Sequence, residues 1–411
     1  MACRAPALEN NRKRRRNEVR LSDGNDFFVY FGTYTGFRYT KRGVPTGRSR
    51  SQGIYVARFD TATGGVSDPR LAAEIPNPSF VAIHPNRCFL YAVSEDPLSL
   101  GPSRDRASYV SAFAIDAVTG KLRVLNTVPT GGTSTCYLSL DRSGKRLLLA
   151  NFGSGSVSVL EVRAGGSLRS MTSFIQHIGK GTHPRYQTMP HPHWIGVSPD
   201  NRFAIAADLG LDKVFVYRFN PSTGTLAPPE PRFVTVAPTS GPRHFAFAPD
   251  GKHGYLLNEM GGNVTAFAWS PSRGDLTQFQ DVPTIPSGFD GENHSAEIVI
   301  SPDGRFLYES NRRRRDGGRL FGPDTIGVYR VDPAKGTLTE VEQRLSGGIM
   351  PRSIAVDPSG SYLFAAHQLT GNVVVFRIAG DTGSLTRTRT TLMVPTPVCM
   401  KFVSVRDRRR A

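Results

Sequence analysis

The residues of this 411-residue sequence best suited to chemistry on an anion are three arginines, two histidines and their carboxylate neighbours. The arginines are Arg243, Arg312 and Arg352. The histidines are His191 and His193, in Met189-Pro190-His191-Pro192-His193. Guanidinium groups bind carboxylate or phosphate through paired hydrogen bonds. A neutral histidine, or a carboxylate such as Glu259, can take a proton from water. Together they equip a site for general-base chemistry on a small anionic ligand. A His-x-His pair on a strand also turns two rings to one face and could hold zinc. No third ligand stands at a fixed spacing from it, so we expect no metal and no cofactor.

Such residues need elements that bring them together. A turn of the form Asx/Thr/Ser-x-Gly-x-Leu/Val recurs seven times, with glycines Gly64, Gly120, Gly166, Gly224, Gly274, Gly336 and Gly383. The mean step is about 53 residues, a period that marks a propeller or solenoid. A second turn precedes it by one strand pair, as in Ser198-Pro199-Asp200 and Ser301-Pro302-Asp303-Gly304. Proline sets φ for this turn and Asp-Gly completes it. Each repeat then reads as a four-stranded antiparallel meander, and the chain as an all-β, seven-bladed propeller. The Pro turn appears six times, because the sequence ends on an inner strand, Val398–Phe402, and begins on a second strand, Phe28–Phe31. Pairing these two strands closes the seventh blade and removes an open sheet edge.

Alignment on the Pro turn yields columns. Six residues before it stand Ser79, Cys136, His193, Arg243, Ala296, Arg352 and Val398. Ten after it stand Glu95, Phe152, Leu209, Glu259, Arg312, Gln368 and Tyr34, each preceded by one of Ser94, Asn151, Asp208, Asn258, Asn311, His367 and Thr33. In an antiparallel pair these ends are neighbours, so the columns form a ring at one mouth of the channel. Charged residues are rarely buried unpaired. So many in one ring point to an anionic ligand rather than to structural ion pairs alone.

The net charge of +17 agrees with an anionic partner without choosing one. The run Arg312-Arg313-Arg314-Arg315 lacks interleaved aromatic residues, so nucleic acid is not the expected partner. No stretch is apolar for 18 residues, and the N-terminus has no apolar segment typical of a signal peptide, so neither a membrane nor an export signal is expected. The four cysteines are far apart and form no CxxC pair. That fits a reducing compartment and a cytoplasmic location. Residues 1–25, with the basic run Arg12–Arg16, read as a disordered tail, with nuclear targeting as the alternative role. Residues 26–403 read as the propeller and 404–411 as a second basic tail. The oligomeric state is not legible. There is no P-loop, dinucleotide fingerprint, GxSxG, HExxH or WD dipeptide.

At Phe31-Gly32-Thr33-Tyr34-Thr35, Pro190–His193, Ala207-Asp208-Leu209-Gly210 and Gly241-Pro242-Arg243-His244 the chain resembles the seven-bladed propeller lactonase family. The likeness continues through Asn258-Glu259, Gly291–Asn293 with Ala296-Glu297-Ile298, Ser310-Asn311-Arg312, Pro351-Arg352 and Pro397–Cys399. That family includes propeller-type 6-phosphogluconolactonases and carboxy-cis,cis-muconate cyclase. The resemblance implies catalytic roles for His193 (or His191), Arg243, Glu259 and Arg312. His191, Asp208, His244, Glu297, Asn311 and Arg352 are then expected to bind substrate. It implies hydrolysis of a sugar lactone in the pentose phosphate pathway, with cyclase-type chemistry on a carboxylated lactone as the alternative. A non-catalytic binding platform is the third reading. The chain departs from the family in an Arg-rich insertion running from Arg312 to about Pro323. It could close over the channel mouth and alter the substrate.

Overall fold

A computed structural model of the chain describes residues 25–39, 45–95, 108–227, 232–285, 291–314 and 324–405. Both basic tails, apart from residue 25 and residues 404–405, and most of the Arg-rich insertion lie outside the described residues. Among the described residues every regular element is a strand. The strands form seven antiparallel sheets of at least four strands each; six follow sequence order, and in the seventh the last strand of the chain pairs beside the first. One further two-stranded hairpin, Phe37–Tyr39 with Pro45–Arg48, lies apart. The closing blade pairs Asp26–Thr33 with Pro397–Ser404, with Phe31 opposite Met400. The chain is therefore a seven-bladed propeller closed by its two ends.

Burial explains the sequence pattern within each blade. Second strands are covered on both faces by neighbouring blades. Phe203–Asp208 and Tyr362–His367 are accordingly buried at every position. Fourth strands face water, and no position of Leu122–Pro129 is fully buried.

The seven glycine turns join one blade to the next. All seven glycines have left-handed φ, between 68° and 83°. Each packs on the residue that opens the second strand of the preceding blade. A Cβ on Gly383 would stand 2.4 Å from the Phe306 ring, and one on Gly274 2.3 Å from Phe203. In four blades a tyrosine two residues further along the same strand donates to the turn. Tyr30 Oη reaches the Gly120 carbonyl at 2.8 Å, Tyr91 reaches Gly166 at 2.9 Å, Tyr255 reaches Gly336 at 2.8 Å and Tyr308 reaches Gly383 at 3.0 Å. Conformation and close packing both require glycine here.

Replacing Gly383 with alanine imposes both penalties, and we expect a loss of about 2 kcal/mol or more. Tyr308→Phe removes one buried hydrogen bond and should cost about 1 kcal/mol. Denaturant unfolding measures both, and the two variants should rank in that order.

Candidate functional site

The channel-facing residues owe their direction to β-bulges. Where the inner strand begins, the pairing register slips in six of the seven blades. The slip passes over Cys136, His193, Arg243, Arg352 and Val398. In the blade that begins at Glu292 it passes over Ala296 and Glu297 together. A bulge re-aims the side chain it leaves unpaired. Left-handed residues two positions earlier accompany several of these bulges: Ser134, Gly241, Met350 and Thr396.

Of these side chains, Cys136, His193 and Arg352 border a cavity of about 430 Å³. That lies within the roughly 300–1,000 Å³ usual for small-molecule sites. His191, His193, Glu259, Arg312 and Arg352 line it. A chamber of about 10 Å³ adjoins it, lined by Arg243, His244 and Glu297 among others. Glu95, Cys136, His193 and Arg352 line both spaces and so mark where the two meet.

Two of the expected substrate contacts, Asp208 and Asn311, line neither space. Asp208 is fully buried and accepts from the backbone of His191 (2.8 Å) and Gly210 (2.9 Å), with its other oxygen 2.6 Å from His177 Nδ1. Asn311 bonds Asn293, Ser295 and the Thr284 carbonyl. Successive residues of a strand face opposite ways. The column that ends each second strand therefore points away from the cavity, and the next residue points into it. Thr33, Asn151, Asn258 and His367 share that fully buried position. Their side chains tie loops and neighbouring strands together.

Other cavity residues went unselected in the sequence. Glu95 and Cys136 stand in the two columns but were not chosen. His294 escaped because the double bulge shifts its register. Arg185, Tyr186, Thr188 and Met189 lie on a long connection outside the repeat. Gln187 bolts that connection down, donating to the Leu209 carbonyl (2.9 Å) and to Asp212 (2.7 Å).

Glu259 is the hub of the charges. Its Oε2 accepts from Arg243 Nε at 2.9 Å. Its Oε1 lies 3.2 Å from Arg312 Nη2 and 3.1 Å from His294 Nδ1. Arg312 also donates to the carbonyls of His294 (2.8 Å) and Ser295 (3.0 Å). With both oxygens engaged, Glu259 is placed to position cations rather than to accept a proton from water.

The histidines differ by their partners. His244 faces Arg243 Nη1 through Nε2 (3.1 Å) and Glu297 through Nδ1 (2.6 Å). Arginine only donates, so Nε2 is the acceptor and Nδ1 carries the hydrogen. Burial, opposed by Glu297 and aided by Arg243, pushes the His244 pKa down to about 4. His191 donates Nδ1–H to the Phe152 carbonyl (2.8 Å) and stacks on that ring. His193 Nδ1 is buried with no hydrogen-bond partner. Burial, then the charges of Arg243 and His244, holds the His193 pKa well below 6.5. The ring is therefore neutral near pH 7.

Glu95 accepts from Tyr34 Oη at 2.8 Å, and Arg352 Nη2 donates to the same hydroxyl at 3.2 Å. Burial raises the Glu95 pKa against the opposing pull of Arg352. Burial likewise raises the Cys136 thiol far above neutral pH, which removes it as a thiolate nucleophile. Among the described residues no group of three or more His, Cys, Asp or Glu is placed to share a metal ion.

A closed propeller with a cationic pocket and a neutral buried histidine has the form of a small-molecule hydrolase. The family model Lactonase, 7-bladed beta-propeller matches residues 28–402, and the chain belongs to that family. It is 36% identical over 377 residues to 6-phosphogluconolactonase of Bacillus subtilis, covering 92% of this chain and 98% of that one. It is 32% identical over 350 residues to 6-phosphogluconolactonase of Formosa agariphila, covering 85% and 95%. The solved structure of a periplasmic gluconolactonase from Pseudomonas aeruginosa superposes with a TM-score of 0.82 at 34% identity, covering 93% of this chain and 100% of the other.

The placement of Asn311 carries its own test. Asn311→Ala should lower stability by about 1–3 kcal/mol, because it strands several buried partners. The folded variant should keep kcat within a few-fold. Full stability with abolished turnover would return Asn311 to the substrate.

Proposed function

We propose that the chain hydrolyses 6-phospho-D-glucono-1,5-lactone to 6-phosphogluconate. The observation that carries this reading is His193. It borders both cavity and chamber, its Nδ1 is unpartnered, and burial with its cationic neighbours keeps it neutral. The names of the two bacterial 6-phosphogluconolactonases support the phosphorylated substrate.

His193 takes a proton from water as the water oxygen bonds to the lactone carbonyl carbon. The carbonyl π pair moves onto its oxygen, which needs a cationic donor. We assign that donor to Arg352. It lines the cavity and, among the described residues, spends only Nη2, on Tyr34. Arg243 is the less suitable donor. It lines the chamber but not the cavity, and its Nε and Nη1 are held by Glu259, His244 and the Ala296 carbonyl. Collapse of the intermediate breaks the bond to the ring oxygen, which recovers the proton from His193. The acid formed ionises on release. Arg312 and Arg185, both at the cavity, provide positive charge for the phosphate.

Arg352→Ala should lower kcat by about 10²–10³, the usual cost of losing an oxyanion donor. A variant with full kcat on the phosphorylated lactone would refute that assignment. Turnover of a carboxymuconate substrate but not the lactone by the native chain would select the cyclase chemistry instead.

The pH profile tests the base. His193 accepts a proton only when neutral, and its pKa is depressed. Lactonase kcat/KM should therefore persist as pH falls through 6.5 and be lost only lower. An acid limb at or above 6.5 would contradict His193 as the base.

A further inference from the structure

The small chamber is lined mainly by polar side chains. Its volume of about 10 Å³ is at the lower end of what holds one water. A buried water also needs two to four polar partners. Two atoms of residues on the chamber wall meet that need. His193 Nδ1 and Ser79 Oγ are both buried and lack any hydrogen-bond partner. Ser79 stands beside the Glu95 carboxyl without completing a bond to it. Buried polar groups are otherwise paired almost without exception.

We infer that this chamber is a binding site for a single water molecule, held by His193 Nδ1 and Ser79 Oγ, and that this water is the nucleophile of lactone hydrolysis. The catalytic part of the inference rests on the lactonase reading above. The two spaces meet at Glu95, Cys136, His193 and Arg352, so a water in the chamber sits at the edge of the cavity that receives the lactone. His193 is the hydrogen-bond acceptor for the water and then its base. Ser79 lines the chamber and not the cavity, so it orients the water without touching the substrate and is a positioning residue. A water already bound by the protein reaches the transition state without being recruited from solvent, and such pre-orientation lowers the barrier.

The test combines a crystal structure with kinetics on the full chain. High-resolution density of the unliganded native protein should show one ordered water within hydrogen-bond distance of His193 Nδ1 and Ser79 Oγ. A dry chamber overturns the site. Ser79→Ala removes one of the water's partners. It should lower kcat about tenfold with KM unchanged, as expected for one lost hydrogen bond to a reacting group. Ser79→Val fills the chamber and should lower kcat about a hundredfold or more, with the pH profile of the residual activity altered. Native kcat in a folded Ser79→Val protein overturns the catalytic role. Should Ser79→Val not fold, Ser79→Ala decides, and an unchanged kcat overturns the role there too. If the native chain proves inactive on the lactone, the lactonase reading fails by itself. The density in the chamber then still decides the water site.

Discussion

A carboxylate buried between two guanidinium groups is the constraint on which the site depends. Glu259 engages Arg243, Arg312 and His294 from three directions. Removing any one partner from such a cluster leaves an uncompensated charge in a dry interior, which costs far more than the pair contributes. The cluster is therefore weak as a source of stability and strong as a source of geometry. It holds Arg243 against His244 and beside His193. The propeller supplies what the cluster needs: strands from different blades whose bulged ends converge on one channel.

The same field assigns different work to adjacent histidines. His193 and His244 rings sit 5.2 Å apart. Arginine on one side and glutamate on the other fix the tautomer of His244 and leave it no lone pair for a substrate. His193 has no such partners and keeps an open nitrogen. Residue type alone would rank the two equally. Their surroundings separate a fixed structural dipole from a proton acceptor.

Much of this was legible in the sequence. The seven glycine turns, the six Pro turns and the strand shared between the two ends defined the propeller before any coordinates. The columns located His193, Glu259, Arg312 and Arg352 around one cavity. Facing was harder to read. Asp208 and Asn311 differ from the cavity-facing residues that follow them by a single step, and strand alternation turns that step into the opposite side of the sheet. Bulges were invisible because they add no characteristic residue. The double bulge at Ala296-Glu297 hid His294. The connection that carries Arg185 and Tyr186 has no counterpart in other blades, so repeat alignment had nothing to set it against. The seven glycines are themselves blade-to-blade contacts.

The central claim is that burial, reinforced by the arginine-rich surroundings, keeps His193 neutral and able to accept a proton. Isotope-edited NMR of histidine-labelled protein measures this directly, without substrate or turnover. The account requires the His193 ring to titrate well below 6.5, and its midpoint to rise when Arg243 is replaced by glutamine. A midpoint at or above 6.5 in the native protein would contradict it.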